Sequence, residues 1–435
     1  MQSAMDSTIA EKILARHAGL SHVRPGDIVI ARVDFSMVHD ARAPNTIRMV
    51  DKMVAGRSAS LPFADKTAWV LDHYSPPPTV EAAQGHSAMR SFARQHGSPL
   101  YDIGDGICHQ VLPEGGHLTC GDLVVGTDTH SVTYGAFNAL GTGIEGSDIS
   151  ALMQTGKLWF RVPESVKVML NGRLQPGVWA KDITLYMLGR FGAEGLNYRA
   201  IEYAGTAVSA MEIDDRMTLA NHAAELGAKA ALLEADEKTL AWLAAHGARA
   251  PRPVYADAHA IYADHFEVDV SALTPQVARQ HAVDDIVAAS EVVGQKINFA
   301  LIGTCTNGRI DDIRQAAAIL KGKRLASGVR MIVTPASRQI YLAALREGLI
   351  ETLTEAGASF EAAGCGTCVG ITNHLIPGDR EVVISSANRN FKGRLGNSAS
   401  DIWLGSAATV AASALTGYIT DPRTVPGGQW EATNG

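Results

Sequence analysis

Three cysteines of this chain could share one metal centre. Cys365 and Cys368 stand two residues apart in Gly364-Cys365-Gly366-Thr367-Cys368-Val369-Gly370, and Cys305 lies in Thr304-Cys305-Thr306-Asn307-Gly308. Thiolates at that spacing can ligate one metal or two irons of one cluster, and the glycines let the backbone come close to it. A structural zinc site usually takes four protein ligands, whereas three thiolates suit a cubane with one open iron. The spacing alone leaves a cluster, a zinc site and plain burial open. The chain carries five cysteines in all, and an odd count in a large chain without a secretory signature argues against a disulfide framework.

Four histidine-containing sites each follow an apolar run: His39-Asp40, Asp72-His73, Cys108-His109 and Gly126-Thr127-Asp128-Thr129-His130. A carboxylate close to an imidazole orients it and raises its basicity. Each site alone reads as a polar strand-end turn; four of them ask for chemistry. A fifth segment, Ser385-Ser386-Ala387-Asn388-Arg389-Asn390-Phe391-Lys392-Gly393-Arg394, puts two arginines in one loop. Each guanidinium can grip a carboxylate bidentately, so the pair suits a dicarboxylate, the alternative being a solvated basic loop. Gly141-Thr142-Gly143-Ile144-Glu145-Gly146 matches a dinucleotide-binding pattern. It lacks a strand directly before it and an acidic partner at the right distance, so it is read as a tight turn between packed helices.

The elements that must hold these residues are strands alternating with helices. Apolar runs at Asp27–Ala31, Leu123–Gly126, Val166–Leu170, Ile297–Gly303, Val329–Val333 and Val382–Ser385 read as strands; Ile310–Leu320 and Ser337–Leu349 have helical spacing. The alternation predicts α/β layers with largely parallel sheets. Cys305 falls at a strand's C-terminal end, where α/β proteins place their chemistry, and just before a helix whose dipole favours a thiolate. The length of 435 residues suggests two or three domains, with soft boundaries near Pro163 and near residue 290, after the polar stretch Pro251–Ser290.

Composition narrows the class further. Hydrophobic residues make up 46% and charged residues 19%, as in a globular protein, and the formal net charge of −7 disfavours a general nucleic-acid surface. The first residues lack a basic segment followed by an apolar run, so a cytoplasmic protein is expected. The longest uncharged stretch, Trp403–Ile419, is too weakly apolar for a membrane span and is read as a buried helix.

Taken together, these segments resemble the aconitase superfamily, and most closely its separate large subunits of the 3-isopropylmalate dehydratase and homoaconitase type. The resemblance spans nearly the whole chain: Val33–Asp40, Asp72-His73, Gly106–Gln110, Gly126–His130, Asn221–Glu225, Ile302–Gly308, Gly364–Gly370, Ser386–Gly396 and Ala408–Arg423. It implies three-layer α/β domains, at 1–162, 163–289 and 290–435, around a central [4Fe–4S] cluster ligated by Cys305, Cys365 and Cys368. Its fourth iron would bind the hydroxyl and a carboxylate of a 2-hydroxy di- or tricarboxylate. By the same resemblance Asp72, His73, His109, Asp128, His130 and Glu225 are catalytic, and His39, Thr129, Asn221, Asn388, Arg389 and Arg394 hold substrate. His39 stands where aconitase itself has glutamine.

The family's proton-abstracting serine sits in a Gly-Ser-Ser-Arg-Glu-like segment, and none occurs here. The resemblance therefore implies a small subunit that carries that serine, and a chain inactive without it. Departures at Thr129, His73–Pro78 and Ile144–Asp148 put the substrate's identity, not the cluster, in doubt; Thr367 also stands where proline is frequent. The best expectation is 3-isopropylmalate dehydratase, with homoaconitase-like or 2,3-dimethylmalate dehydratase-like activity as alternatives. A regulatory RNA-binding relative is a reading of another class, and neither nucleic acid nor membrane is expected as a partner.

Overall fold

A computed structural model describes residues 6–54, 61–292, 294–370 and 376–426. Three larger sheets and one two-stranded ribbon organise them. The first sheet orders its five strands Leu100–Tyr101, Thr67–Val70, Phe35–His39, Leu123–Gly126, Leu140–Gly143, all parallel. The chain lays strands outward from Phe35–His39 on one side, then returns to lay Leu123–Gly126 on the other. The strand order therefore reverses beside His39, and the crevice at such a reversal is where α/β sheets bind ligands.

The second sheet has four parallel strands, ordered Ala230–Leu233, Ala200–Ala204, Ser165–Asn171, Asp264–Asp269. The third has seven, ordered Ile286–Ala288, Gln276–Ala278, Asp401–Leu404, Val382–Ser385, Phe299–Ile302, Arg330–Val333, Ala358–Phe360. It is parallel except where Gln276–Ala278 pairs antiparallel with both its neighbours. Its own reversal lies between Phe299–Ile302, which leads into Cys305, and Val382–Ser385, which leads into Asn388 and Arg389.

Several expectations change in detail. Leu140–Gly143 is a strand paired with Leu123–Gly126, and Gly146 opens the helix Gly146–Thr155, so the glycine pattern is not a turn between helices. Lone small residues hid that strand: a Cβ at Gly141 would lie 2.1 Å from the Ser131 carbonyl oxygen, so bulk is excluded there. Ile28–Arg32 stays outside the parallel sheets and pairs antiparallel with Lys157–Arg161. The polar stretch before residue 290 holds the strands Gln276–Ala278 and Ile286–Ala288 of the third sheet. Trp403 and Leu404 close a strand, and the buried helix beyond them is Ala407–Thr416, capped by Ser406 and ended at Gly417 with φ +81°.

One apolar core joins all three sheets. Met37 and Val124, Val166 and Ile201, and Ala300 and Val383 belong to the same buried cluster. Burial of that extent is the main stabilising term of such a fold and fixes the sheets against one another. Among the described residues no helix is long and apolar enough to cross a membrane.

Candidate active site

The strand ends of the first and third sheets meet at a cavity of about 370 Å³. His39, His73, His109, Asp128, Thr129, His130, Cys305, Cys365, Cys368, Arg389 and Arg394 line it. Asp72, Asn221, Glu225 and Asn388 stand behind that wall, each bonded to a residue in it or to one another. All fifteen expected site residues are thus gathered from segments more than three hundred positions apart.

Cys305 sits in the short helical turn Thr304–Asn307 right after its strand. Thr304, a β-branched residue, takes φ +70° there, a strained conformation that packing must hold. Arg309, buried to 1% exposure, supplies part of that hold: its guanidinium donates to the carbonyl oxygens of Cys305 (2.7 Å) and Thr306 (2.6 Å). Cys365 and Cys368 flank a tight turn whose Gly366, at φ +52°, packs so close to Thr334 that a Cβ would come within 2.4 Å of its hydroxyl. The Cys365 N–H donates to the Asp72 carbonyl oxygen at 3.0 Å, tying the cysteine turn to the first sheet.

All three cysteines are buried and free. Burial pushes the Cys305 thiol up to about 12, reinforced by its neighbour Cys368. Burial also raises Cys365 well above the ordinary thiol range, against the pull of His73. Two cationic side chains stand by the sulfurs, Arg394 Nη2 at 3.1 Å from Cys368 Sγ and His73 Nδ1 at 3.6 Å from Cys365 Sγ, while the Cys305 thiol donates to the Asn388 side-chain oxygen at 3.8 Å. A metal centre reverses the burial penalty, because ligation removes the thiol proton and its positive charge offsets the thiolates. Two buried ring nitrogens of cavity-lining residues, His39 Nδ1 and His109 Nδ1, have no hydrogen-bond partner among the described residues. Such orphans in a native site call for a ligand. Three soft donors with cationic surroundings and unfilled polar groups fit an iron–sulfur centre.

The histidines form one carboxylate-linked network. Asp128 Oδ1 accepts from His109 Nε2 (2.8 Å) and from the backbone N–H of His130 (2.8 Å), while its Oδ2 lies 3.3 Å from His73 Nε2. Burial opposes its charge, but the three histidines hold this carboxyl well below the usual range. His73 Nδ1 meets Asp72 Oδ1 at 2.8 Å. Burial works against a charged His73, yet the Cys365 sulfur and the carboxylates of Asp72 and Asp128 outweigh it and raise the imidazole well above its ordinary value. His130 Nε2 meets Glu225 Oε1 at 2.9 Å, and Arg389 Nε donates to both Glu225 oxygens at 3.0 Å. Against burial, His130 and Arg389 hold Glu225 down at about 2.

His39 differs. Its Nε2 lies 3.1 Å from the Thr127 carbonyl oxygen, which can only accept, so Nε2 carries the proton and Nδ1 is a bare lone pair. Its ring stacks on His73 with centroids 4.0 Å apart. Burial, with the neighbouring His73 charge, lowers its pKa to about 4.

Sequence reading missed Arg309 and Lys181, and it paired Asp40 with His39 where the structure gives it other partners. Asp40 accepts from the backbone N–H of His73 (3.0 Å) and Tyr74 (2.8 Å) and from His86 Nε2 (3.0 Å), fixing the Asp72-His73 turn. Arg309 was visible just past Asn307-Gly308, yet nothing local shows that an arginine there points inward. Lys181 sits on the helix Ala180–Phe191 with 0% exposure; a lysine in that apolar helix was its only signal.

The aconitase family (aconitate hydratase) model matches residues 11–417. The chain is 44% identical over 421 residues to the 3-isopropylmalate dehydratase large subunit 1 of Methanopyrus kandleri, covering 96% of this chain and 99% of that protein. It is 44% identical to the 3-isopropylmalate dehydratase large subunit 2 of Archaeoglobus fulgidus, at 96% and 99% coverage. A probable methanogen homoaconitase large subunit of Methanothermobacter thermautotrophicus is 41% identical, at 98% and 99% coverage. Family and site agree: an iron–sulfur centre is what this family implies and what the buried cysteines fit. With its cysteine trio, its histidine–carboxylate network and a match along nearly its whole length, the chain belongs to the aconitase family.

Proposed function

We propose that this chain is the large subunit of an iron–sulfur hydro-lyase that dehydrates, and rehydrates, a 2-hydroxy dicarboxylate, with 3-isopropylmalate as the first substrate to test. One observation carries the reading: three buried free cysteines and two arginines face one cavity ringed by a histidine–carboxylate network. The names of the relatives support the substrate and the two-subunit organisation. The 41% identity to a homoaconitase large subunit keeps a 2-hydroxy tricarboxylate as the alternative.

Cys305, Cys365 and Cys368 would hold a [4Fe–4S] cluster. When bound, it supplies an open iron that acts as a Lewis acid on the substrate hydroxyl and weakens the C–OH bond. The chain's own residues do the rest. His73, kept protonated by Asp72 and Asp128, donates a proton to the departing hydroxyl, and the Asp72 carboxylate holds its ring in line. His39 lines the substrate cavity with its ring stacked on His73. His109 and His130 share Asp128 and order the hydrogen bonds beneath the leaving group. Arg389 and Arg394 receive the carboxylates with Thr129 beside them, while Asn388 and Asn221 brace Cys305 and the arginine loop. The α-proton goes to a serine brought by a small subunit.

Metal analysis after anaerobic purification tests the centre: about four irons and matching sulfide per chain are expected. Cys305→Ser should lose the cluster's visible absorption; an unchanged spectrum refutes the ligand assignment. Assay of the two-subunit enzyme on a panel of 2-hydroxy diacids tests the substrate. Failure to dehydrate any of them, with the cluster intact, overturns the reaction.

A further inference from the structure

A fully buried lysine is costly unless its ammonium is satisfied, because taking the charge out of water carries a large penalty. Lys181 is buried to 0% exposure and meets its three N–H groups with three acceptors. Its Nζ lies 2.8 Å from the Ala387 carbonyl oxygen, 3.1 Å from that of Ser386 and 3.3 Å from His222 Nε2. Two of these acceptors are the peptide groups directly before Asn388 and Arg389. The third ends the helix Ile213–His222, which carries Asn221. Asn388 Nδ2 in turn donates to Asn221 Oδ1 at 2.6 Å. The ammonium therefore joins the two segments from which the asparagines and the first clamp arginine project.

We propose that Lys181 is a positioning residue for the carboxylate clamp. By fixing the peptide planes of Ser386 and Ala387 against the end of the Ile213–His222 helix, it sets the direction in which Asn388 and Arg389 leave the backbone. Two consecutive carbonyls held on one ammonium fix both peptide planes, and Asn388 and Arg389 follow directly on them. Other bonds hold this segment too: the Ser386 N–H donates to the Leu301 carbonyl oxygen, the Ala387 N–H to Ser385 Oγ, and Ser386 Oγ accepts from the Gly303 N–H at 3.1 Å. The inference rests on the reading of the cavity as a dicarboxylate site.

The test uses the cluster-loaded chain and 2-isopropylsuccinate, a dicarboxylate that lacks the hydroxyl and cannot be dehydrated. Calorimetric binding is compared for wild type, Lys181→Met and Lys181→Arg, with iron content and amide exchange of the peptide spanning 386–390 as further readouts. Lys181→Met is expected to keep its iron, to weaken binding roughly tenfold or more, as loss of charge-assisted hydrogen bonds does, and to exchange faster across 386–390. Lys181→Arg, which keeps a cation and donors, should lie nearer wild type. Should the methionine variant not fold, Lys181→Gln takes its place. Unchanged affinity and exchange in a folded, iron-loaded variant overturn the proposal. Absent binding by wild type overturns the dicarboxylate reading instead, and the exchange comparison still decides whether Lys181 sets the loop.

Discussion

Histidines of one site hold opposite charge states, and the difference lies in their partners. His73 faces two carboxylates and a sulfur, whereas His39 faces a peptide oxygen and a neighbouring imidazolium. His39 thus has a folded pKa of about 4 against an ordinary 6.5. The unfolded chain takes up this proton first as pH falls. The stability His39 contributes is therefore fully present above pH 6.5 and is lost as pH falls through about 4. For the cluster-free chain we expect this loss to amount to about 3 kcal/mol, and to be missing in His39→Gln. Urea unfolding at pH 7 and at pH 4.5 measures it; parallel pH dependence in the two proteins would refute a buried neutral His39.

At the scale of elements, close approach of backbones sets where the site residues stand. Asp128 caps the 3-10 helix Thr129–Phe137 by accepting from the His130 N–H, and that helix rests directly on the strand Ala230–Leu233. A Cβ at Gly135 would lie 1.3 Å from the Ala231 carbonyl oxygen, so nothing larger than glycine fits without displacing the strand. Gly135→Ala is expected to cost about 3 kcal/mol or to prevent folding, while Gly378→Ala, whose Cβ would meet only ordinary contacts from 3.4 Å, should change stability by less than about 0.5 kcal/mol. Thermal unfolding of the two variants checks the contrast. A mild effect at Gly135 would mean that the helix can lift from the strand and carry His130 with it. The arginine loop and the Cys305 turn leave the third sheet where its strand order reverses, whereas the Cys365–Cys368 turn follows the edge strand Ala358–Phe360.

For the whole molecule, the decisive arrangement is that the first and third sheets point their strand ends at one another, with the second sheet's helices closing the back. One continuous core locks this geometry, so the site is preformed in the chain. In the proposed reading the cavity supplies acids, a clamp and cluster ligands, and the reaction still needs a base for the α-proton. The cluster-loaded chain by itself is therefore expected to show no dehydratase activity, and addition of the small subunit to restore it at one-to-one stoichiometry. Turnover of 3-isopropylmalate by the purified chain alone would sink the divided-site reading.

Much of this was legible in the amino-acid order. Cys365 and Cys368 stand out as a candidate ligand pair because such spacing is local, and the strand-end position of Cys305 follows from hydrophobic runs of the right length. Asp72-His73 and Asp128 with His130 are close in sequence and are coupled as read, whereas Asp40 bonds His73 and His86 rather than its neighbour His39. What lay beyond reach was contact across sheets. Nothing near Asp128 says that it gathers His73 and His109 along with His130 on one carboxylate, and nothing near Arg309 or Lys181 says that these cations turn inward to hold backbone oxygens. The strand at Leu140–Gly143 was hidden for the same reason, since its glycines answer to backbone packed against them from Ser131 and Asp128. Local spacing determined which residues could do chemistry; only the tertiary structure decided which of them share a proton, because burial and distance between remote segments set their charge.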